Sequence, residues 1–405
     1  MADILKGIRI LDLSQVMAGP FGTMILGDLG AEVIKVENPE GGDLCRNNRQ
    51  YLHKDESAYF LSLNRNKKSL TLDLYNEKAR EAFYDLVKIS DVVYDNFRPG
   101  TAKNLGIDYD TLNEINPRII CCSVSGFGAE SPYKDRPALD LLIQAMGGVM
   151  SFTGEAAGRP PVRLGYPMGD LGAAMYAAMA VLAALVHRSI SGKGQQCDVA
   201  MLDSQLSFMT YRAQYFFLEG IVPEPIGTAH ATSVPIQAFR TAEGRYVTIE
   251  ASHQKFFRNL TKVIGMPELW TDKRFSTLAA RALNRKELLG ILEKKFLERT
   301  RDEWVELLVA GDVPAGPVNK LDEALADPSI LARKMVVEVE HKGENIKMVG
   351  NPIKMSAMGG ESFTAPPTLG EHNSQILAEY LKYSQERIHE VLAPAIDSNK
   401  GDTAT

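Results

Sequence analysis

Apolar positions in the first half of the chain switch between two spacings. GIRILDL is a short aliphatic run, AGPFGTMILGDLG repeats at the three-to-four-residue interval of a helix, and AEVIKVE returns to a strand pattern. That order predicts a βαβ unit. SLTLDL, DVVYDN and RIICCSVSGFG predict further strands, with helices through NEKAREAFYDLVKI and around TLNEIN between them. Strands that alternate with helices and read as near-continuous apolar runs predict a parallel sheet covered on both faces. The expected fold class is α/β: an open, doubly wound, Rossmann-like large domain.

YPMGDLGAAMYAAMAVLAALVHR then predicts a long Ala-rich helix, and GKGQQCDVAMLDSQLSFM a strand and a helix start with Asp203 as its cap. From about Gly227 the pattern changes. AFRTAEGRYVTIEAS reads as a hairpin about Glu243-Gly244, and NRKELLGILEKKFLERTRDEWVELLVAG as charged helices, which together predict a small α+β domain. MVVEVEHKGENIKMVG is a second strand pair, SQILAEYLKY a last helix, and the tail DSNKGDTAT carries neither period.

Composition narrows the function classes. The chain has 405 residues, 45% of them hydrophobic, and its net charge of -6 is interspersed rather than blocked, so nucleic acid is not an expected partner. MADILKGIRILDLSQ lacks a basic segment before an apolar core, which makes the cytoplasm the default location. The apolar run Leu171–Val186 is shorter than a membrane span and is expected to be a buried helix in a crowded core or at a subunit interface. Four cysteines with no CxxC spacing point to free thiols, and seven scattered histidines with no i+4 pair argue against a metal site.

Motif searching removes several chemistries. SQVMAGPFG, after the first strand, lacks the GxGxxG spacing that brings backbone close to a pyrophosphate, and the P-loop, HExxH and GxSxG patterns are absent. With no Ser/His or Cys/His arrangement in view, the nucleophile candidates narrow to carboxylates, which can attack an activated acyl carbon. Asp170, just ahead of the Ala-rich helix, is either a helix cap or such a nucleophile. A helix N-terminus would hold its carboxylate as an anion.

Several stretches resemble one family in order and spacing over nearly the whole chain. LDLSQVMAGPFGTMILGDLGAEVIKVENPEGGD, LNRNKKSLTLDL, DNFRPGTAKNLGIDYDTL, SVSGFGAESPYKDRPALD, GYPMGDLGAAMYAAMAVLAAL, GKGQQCDVAMLDS, VPAGPVNKLDEALADP and LGEHN are similar to the class III CoA-transferases, whose relatives include formyl-CoA and carnitine CoA-transferases and the α-methylacyl-CoA racemases. The resemblance implies a large domain made of residues 1–225 and 326–405, a small domain at 226–325, and two chains threaded as interlocked rings in a homodimer. It implies Asp170 as nucleophile, acting through an aspartyl mixed anhydride and an aspartyl-CoA thioester. Coenzyme A and acyl-CoA enter as substrates, with no tightly bound cofactor.

Residue by residue, the resemblance places CoA contacts at Val16, Met17, Ala18, Asn38, Leu72, Asn96, Phe97, Arg98, Leu105 and Arg136, with Lys67 and Lys68 as further cations for CoA phosphates or as solvated charge. Met17, Asn38 and Asn104 stand where formyl-CoA transferase has Gln, Arg and Arg, and that enzyme's glycine-rich flap is replaced by the short GTAHATSVP, so oxalate-like substrates are not expected. Arg46, Arg49 and Tyr59 fall on acyl-group positions, and Gln144 is a weaker candidate for the substrate pocket, its alternative being a packing residue. A guanidinium fork at Arg46 or Arg49 suits the remote carboxylate of a dicarboxylic acid such as a succinate derivative; the alternative is plain surface arginine. Where the racemases carry a proton-moving histidine this chain has Leu139, followed by Asp140. A CoA-transferase is the expected function, with succinyl-CoA a candidate donor; an acyl-CoA racemase or epimerase and a non-catalytic CoA-binding protein on the same fold remain the alternatives.

Overall fold

The computed structural model describes residues 4–358, 360 and 362–393; the tail DSNKGDTAT lies outside them. The chain forms two compact units. One comprises the residues through Gly148, Leu164–Gly220 and those from Lys334 onward; the other comprises Val149–Arg163 and Ile221–Arg333. The smaller unit thus includes a segment ahead of the Ala-rich helix that the 226–325 boundary leaves out.

In the larger unit, β1 (Arg9–Asp12), α1 (Ala18–Asp28), β2 (Glu32–Glu37), α2 (Ala58–Leu63), β3 (Lys67–Thr71), α3 (Glu77–Lys88), β4 (Val92–Asp95), β5 (Ile120–Ser125), α4 (Asp140–Met146), α5 (Met168–Ser191), β6 (Gln195–Ala200) and α6 (Met201–Ser207) follow in order. The six strands pair in parallel as β3-β2-β1-β4-β5-β6. Strand order reverses between β1 and β4, and in such sheets ligands bind in the crevice beyond the carboxyl ends at that point. Alternation along each strand divides the core. Leu11, Ile34, Leu70 and Val93 face Phe83 and Leu86 of α3, whereas Ile10, Val33, Val92 and Ile120 face α1 and α5.

Helix α5 fits closely because its inward stripe is small: Ala173, Ala177 and Ala184 are fully or almost fully buried. Gly22 of α1 meets it with no room to spare. A Cβ there would lie 3.0 Å from Ala174 O and 2.5 Å from the Tyr94 hydroxyl. The helix has 24 residues and, by length and composition, is sufficient to cross a bilayer, which corrects the shorter Leu171–Val186 estimate. Its alanine face packs on α1 and the sheet as a core helix does. Asp203 lies in the first turn of α6, whose N-cap is Ala200, so it is not the cap.

Downstream, β10 (Val336–His341) and β11 (Glu344–Val349) form the expected second hairpin in the larger unit. The last helix is shorter than SQILAEYLKY predicts: Asn373–Gln375 passes into a π turn at Ile376–Tyr380, and a further helix covers Gln385–Leu392. All four cysteines are free; Cys45, Cys121 and Cys122 are buried and Cys197 is partly so. In the smaller unit, β7 (Ile236–Arg240), β8 (Tyr246–Glu250) and β9 (Ala315–Pro317) form an antiparallel sheet in the order β9-β8-β7. Phe239 stacks on Phe296 at 4.7 Å in its core, and the buried Trp304 donates its indole N–H to Phe296 O at 2.8 Å.

Candidate active site

Asp170 is not the cap of its helix. The N-cap of α5 is Pro167, with no side-chain cap, and Asp170 sits in the first turn. Capping comes from another helix: Asp140, the first residue of α4, accepts the Gly169 N–H at 2.8 Å through Oδ1. Its Oδ2 accepts from Gln144 Nε2 at 2.7 Å, one helical turn on. Gln144, fully buried, also accepts the Leu164 N–H at 2.9 Å and so ties the segment leading into α5 to α4. Asp140 is therefore oriented on both oxygens, and Asp170 is left over.

That arrangement changes the electrostatics expected at the helix start. Burial pushes the Asp170 carboxyl up, and the Asp140 charge pushes it further, to about 7. The Gly169 N–H, a donor expected to help hold that anion, is committed to Asp140 instead. Pairs of carboxyls whose environments push their pKa values apart are a recurring feature of functional sites. Tyr59, half-buried on α2, lies in the same field. Burial raises its phenol to about 12, helped by Asp170 and then by Cys45 and Asp43, so the hydroxyl stays neutral beside these carboxyls.

The β1–α1 loop lies at the switch point. Asn96, at the end of β4, accepts from Gln15 N and donates to Gln15 O, both at 2.8 Å. Asn96 thus positions the loop and has its amide occupied by protein. Val16 follows at φ 67, a left-handed conformation that a β-branched residue rarely adopts, and such strain concentrates at functional sites. Met17 is the N-cap of α1 and Ala18 its first, buried residue. At the end of β4 a carboxyl not anticipated from sequence appears: Asp95, which burial raises to about 6, accepts from Ser123 Oγ at 2.7 Å and from Phe97 N at 3.0 Å.

Other expected contacts fall elsewhere. Leu72 and Leu105 belong to the core on the α3 face, with Phe97 packed against it. Asn38 is exposed and turns its side chain onto Glu40 N at 2.7 Å. Arg98 is exposed at the crevice end of β4, and Arg136 is exposed and stacked on Tyr133 at 3.8 Å. Lys67 is not a solvent-facing cation: its ammonium is fully buried on Asp12, Pro20 O and Asn64. Lys68 pairs with Glu32 at 2.7 Å. Lys68, Glu371 and His372 line a cavity of about 780 Å³ at the amino ends of β2 and β3, opposite the switch-point crevice.

Arg46 is already engaged. Its guanidinium holds Glu37 at 2.7 and 2.9 Å, reaches Pro367 O at 3.1 Å, and lies 3.6 Å over the Phe60 ring. Burial opposes Glu37's ionisation, yet Arg46 and Lys35 hold its carboxyl below the ordinary range. The fork expected for a substrate carboxylate is thus closed on a protein one. Arg46→Ala is expected to cost about 3 kcal/mol of stability by stranding Glu37, read as a lower denaturation midpoint at unchanged slope. Arg49, in the same loop, is exposed.

A parallel doubly wound sheet with a tight loop at its switch point and a half-buried carboxyl at the start of a long helix has the layout of an α/β protein that takes a ligand at the carboxyl ends of its strands. The family model for CoA-transferase family III matches residues 5–373, and the chain belongs to that family. It is 37% identical over 393 residues to a human succinyl-CoA:glutarate CoA-transferase, covering 97% of this chain and 89% of that one. It is 38% identical over 385 residues to a succinyl-CoA:mesaconate CoA-transferase of Haloarcula hispanica, covering 93% and 96%. Among solved structures it is similar to a CaiB/BaiF family protein from Brucella suis, with a TM-score of 0.82, 36% identity and coverage of 93% and 98%.

Proposed function

We propose that this chain moves CoA from an acyl-CoA donor, succinyl-CoA in the first instance, to a short dicarboxylic acid through covalent intermediates on Asp170. The observation that carries the proposal is Asp170 itself, a half-buried carboxyl at a helix start whose nearby donor is taken by Asp140. Succinyl-CoA as donor is supported by the printed activities of the relatives from human and Haloarcula hispanica.

The Asp170 carboxylate attacks the thioester carbonyl; the C–S bond breaks and the CoA thiolate leaves, giving a mixed anhydride. The thiolate then attacks the aspartyl carbonyl, releasing the donor acid as its carboxylate and leaving an aspartyl-CoA thioester. An acceptor carboxylate repeats the sequence in reverse and departs as its CoA ester, restoring Asp170. No net proton or electron is required. The neutral Tyr59 hydroxyl is suited to donate to oxyanion character near this carboxyl. Racemisation is not supported, because Leu139, 77% exposed, stands where a proton-moving side chain would be needed.

A homodimer is supported by the outer face of α5. Met175, Met179, Val186 and Ile190 are 39 to 83% exposed and, at intervals of four and seven, form one apolar stripe about 60° wide. The interlocked-ring arrangement belongs to this reading. The mass in solution tests it: twice the chain mass is expected, and a monomer would remove it.

Arg49 is the remaining candidate in its loop for a distal carboxylate. Arg49→Ala is expected to raise the KM of a dicarboxylic acceptor about tenfold, the worth of one charge-assisted hydrogen bond, with monocarboxylates unaffected. The function as a whole is tested with succinyl-CoA and acetyl-CoA as donors against mono- and dicarboxylic acids. Transfer from succinyl-CoA to dicarboxylates supports it, and no transfer from either donor overturns it.

A further inference from the structure

The loop between β1 and α1 is gripped residue by residue by polar side chains that reach it from neighbouring strands and turns. Ser14 O accepts from Lys35 Nζ of β2 at 2.7 Å. Gln15 is held on both backbone groups by Asn96. Val16 N donates to Asp43 Oδ1 at 3.0 Å, and the same oxygen accepts from Cys45 N at 3.0 Å. Lys35 and Asp43 meet at 2.8 Å through Oδ2, both side chains completely buried. One ion pair therefore bridges Ser14 O and Val16 N, on either side of the residue that Asn96 holds.

Two features make this more than packing. Burying a charge pair is generally no better for stability than apolar residues of the same volume, so the fold alone does not require it. Val16 is also held where hard-sphere contacts disfavour a β-branched side chain, and an amide in such a conformation persists only if its surroundings over-determine it. The loop also leads straight into α1, which packs against the helix that carries Asp170: a Cβ at Gly22 would lie 3.0 Å from Ala174 O, one turn past Asp170.

We propose that Lys35 and Asp43 are positioning residues for CoA transfer, holding the Ser14–Val16 backbone in the one arrangement that places an acyl-CoA thioester against Asp170. This rests on the transferase reading above. The pair touches no substrate; it acts through the loop.

A double-mutant cycle between Asp43 and Val16 tests the proposal in the full-length protein, with succinyl-CoA and the best acceptor as substrates. Asp43→Ala is expected to lower kcat about 100-fold, the scale of a misplacement of about 1 Å, while the acceptor KM stays within about twofold. Val16→Gly removes the side chain that makes the left-handed backbone costly. Added to Asp43→Ala, it is expected to recover at least about tenfold of the lost kcat. Should Asp43→Ala fail to fold, Lys35→Met/Asp43→Asn leaves no charge of the pair unmatched and keeps an acceptor for Val16 N. Its kcat is expected to fall about tenfold through the lost Ser14 contact. A lower melting temperature with unchanged kcat in either variant would assign the pair to folding alone, and no rescue by Val16→Gly would show that it does not act through the loop; either result overturns the proposal. A wild-type chain that transfers no CoA would instead sink the transferase reading, so the two failures are distinguishable.

Discussion

Asp170→Ala is expected to lower kcat for CoA transfer by at least about 10⁴-fold, the scale on which removal of a covalent nucleophile is felt. Binding of acyl-CoA is expected to change little, because the loop proposed to meet it, with Val16 and Met17, is held by Asn96, Asp43 and Lys35 rather than by Asp170. The same substitution separates covalent catalysis from mere proximity. A site that only brought two substrates together would retain a sizeable part of its rate without the carboxylate. Initial-rate kinetics over a range of donor and acceptor concentrations gives the split.

The second large effect is on pH. A nucleophile must be ionised, and burial together with Asp140 raises Asp170 to about 7. The rate is therefore expected to fall about tenfold per unit as pH drops below about 7 and to level off above it. Asp140→Asn removes the second cause and keeps an oxygen for Gly169 N–H, so the acid limb is expected to move to lower pH. Linkage gives a companion sign. The folded state holds a proton on Asp170 that the unfolded chain, with a carboxyl near 3.8, has released. Between about pH 4 and 7 the native state binds more protons, so this group's contribution to stability falls as pH rises and is constant above 7. Asp170→Asn lacks that loss, and its stability advantage over wild type is expected to widen from about pH 4 to 7. A pH series of denaturation midpoints for the two proteins checks it. An advantage that shrinks over that interval would show that the carboxylate is stabilised by its surroundings, not strained.

The inner parallel strands were legible because buried parallel strands read as apolar runs, and GIRILDL, AEVIKVE and DVVYDN are such runs, whereas the edge strand QQCDVA is half-buried and polar. The same runs held a signal not followed. Asp12 in RILD and Lys35 in EVIKVE are charged residues inside strands buried on both faces, which requires partners. Those partners are Lys67, 55 residues from Asp12, and Asp43, eight residues past Lys35 in the loop after the strand, so the network could be suspected from one strand but not assembled. Arg46 shows the converse. A guanidinium in a polar loop reads as available until its partner is seen nine residues back at the end of β2. Asp170 was legible as a position, and the i,i+4 spacing of Asp140 and Gln144 was visible too. That Asp140 caps α5 across a gap of 29 residues depends on tertiary packing, and this contact turns Asp170 from a helix cap into a destabilised carboxyl.

The central claim is a covalent bond between Asp170 and the transferred groups. Incubation with succinyl-CoA without acceptor, trapping with hydroxylamine and peptide mass spectrometry reads it directly. The account predicts a hydroxamate on Asp170 in the wild type and none in Asp170→Ala. An unmodified Asp170 in an enzyme that transfers CoA would contradict it.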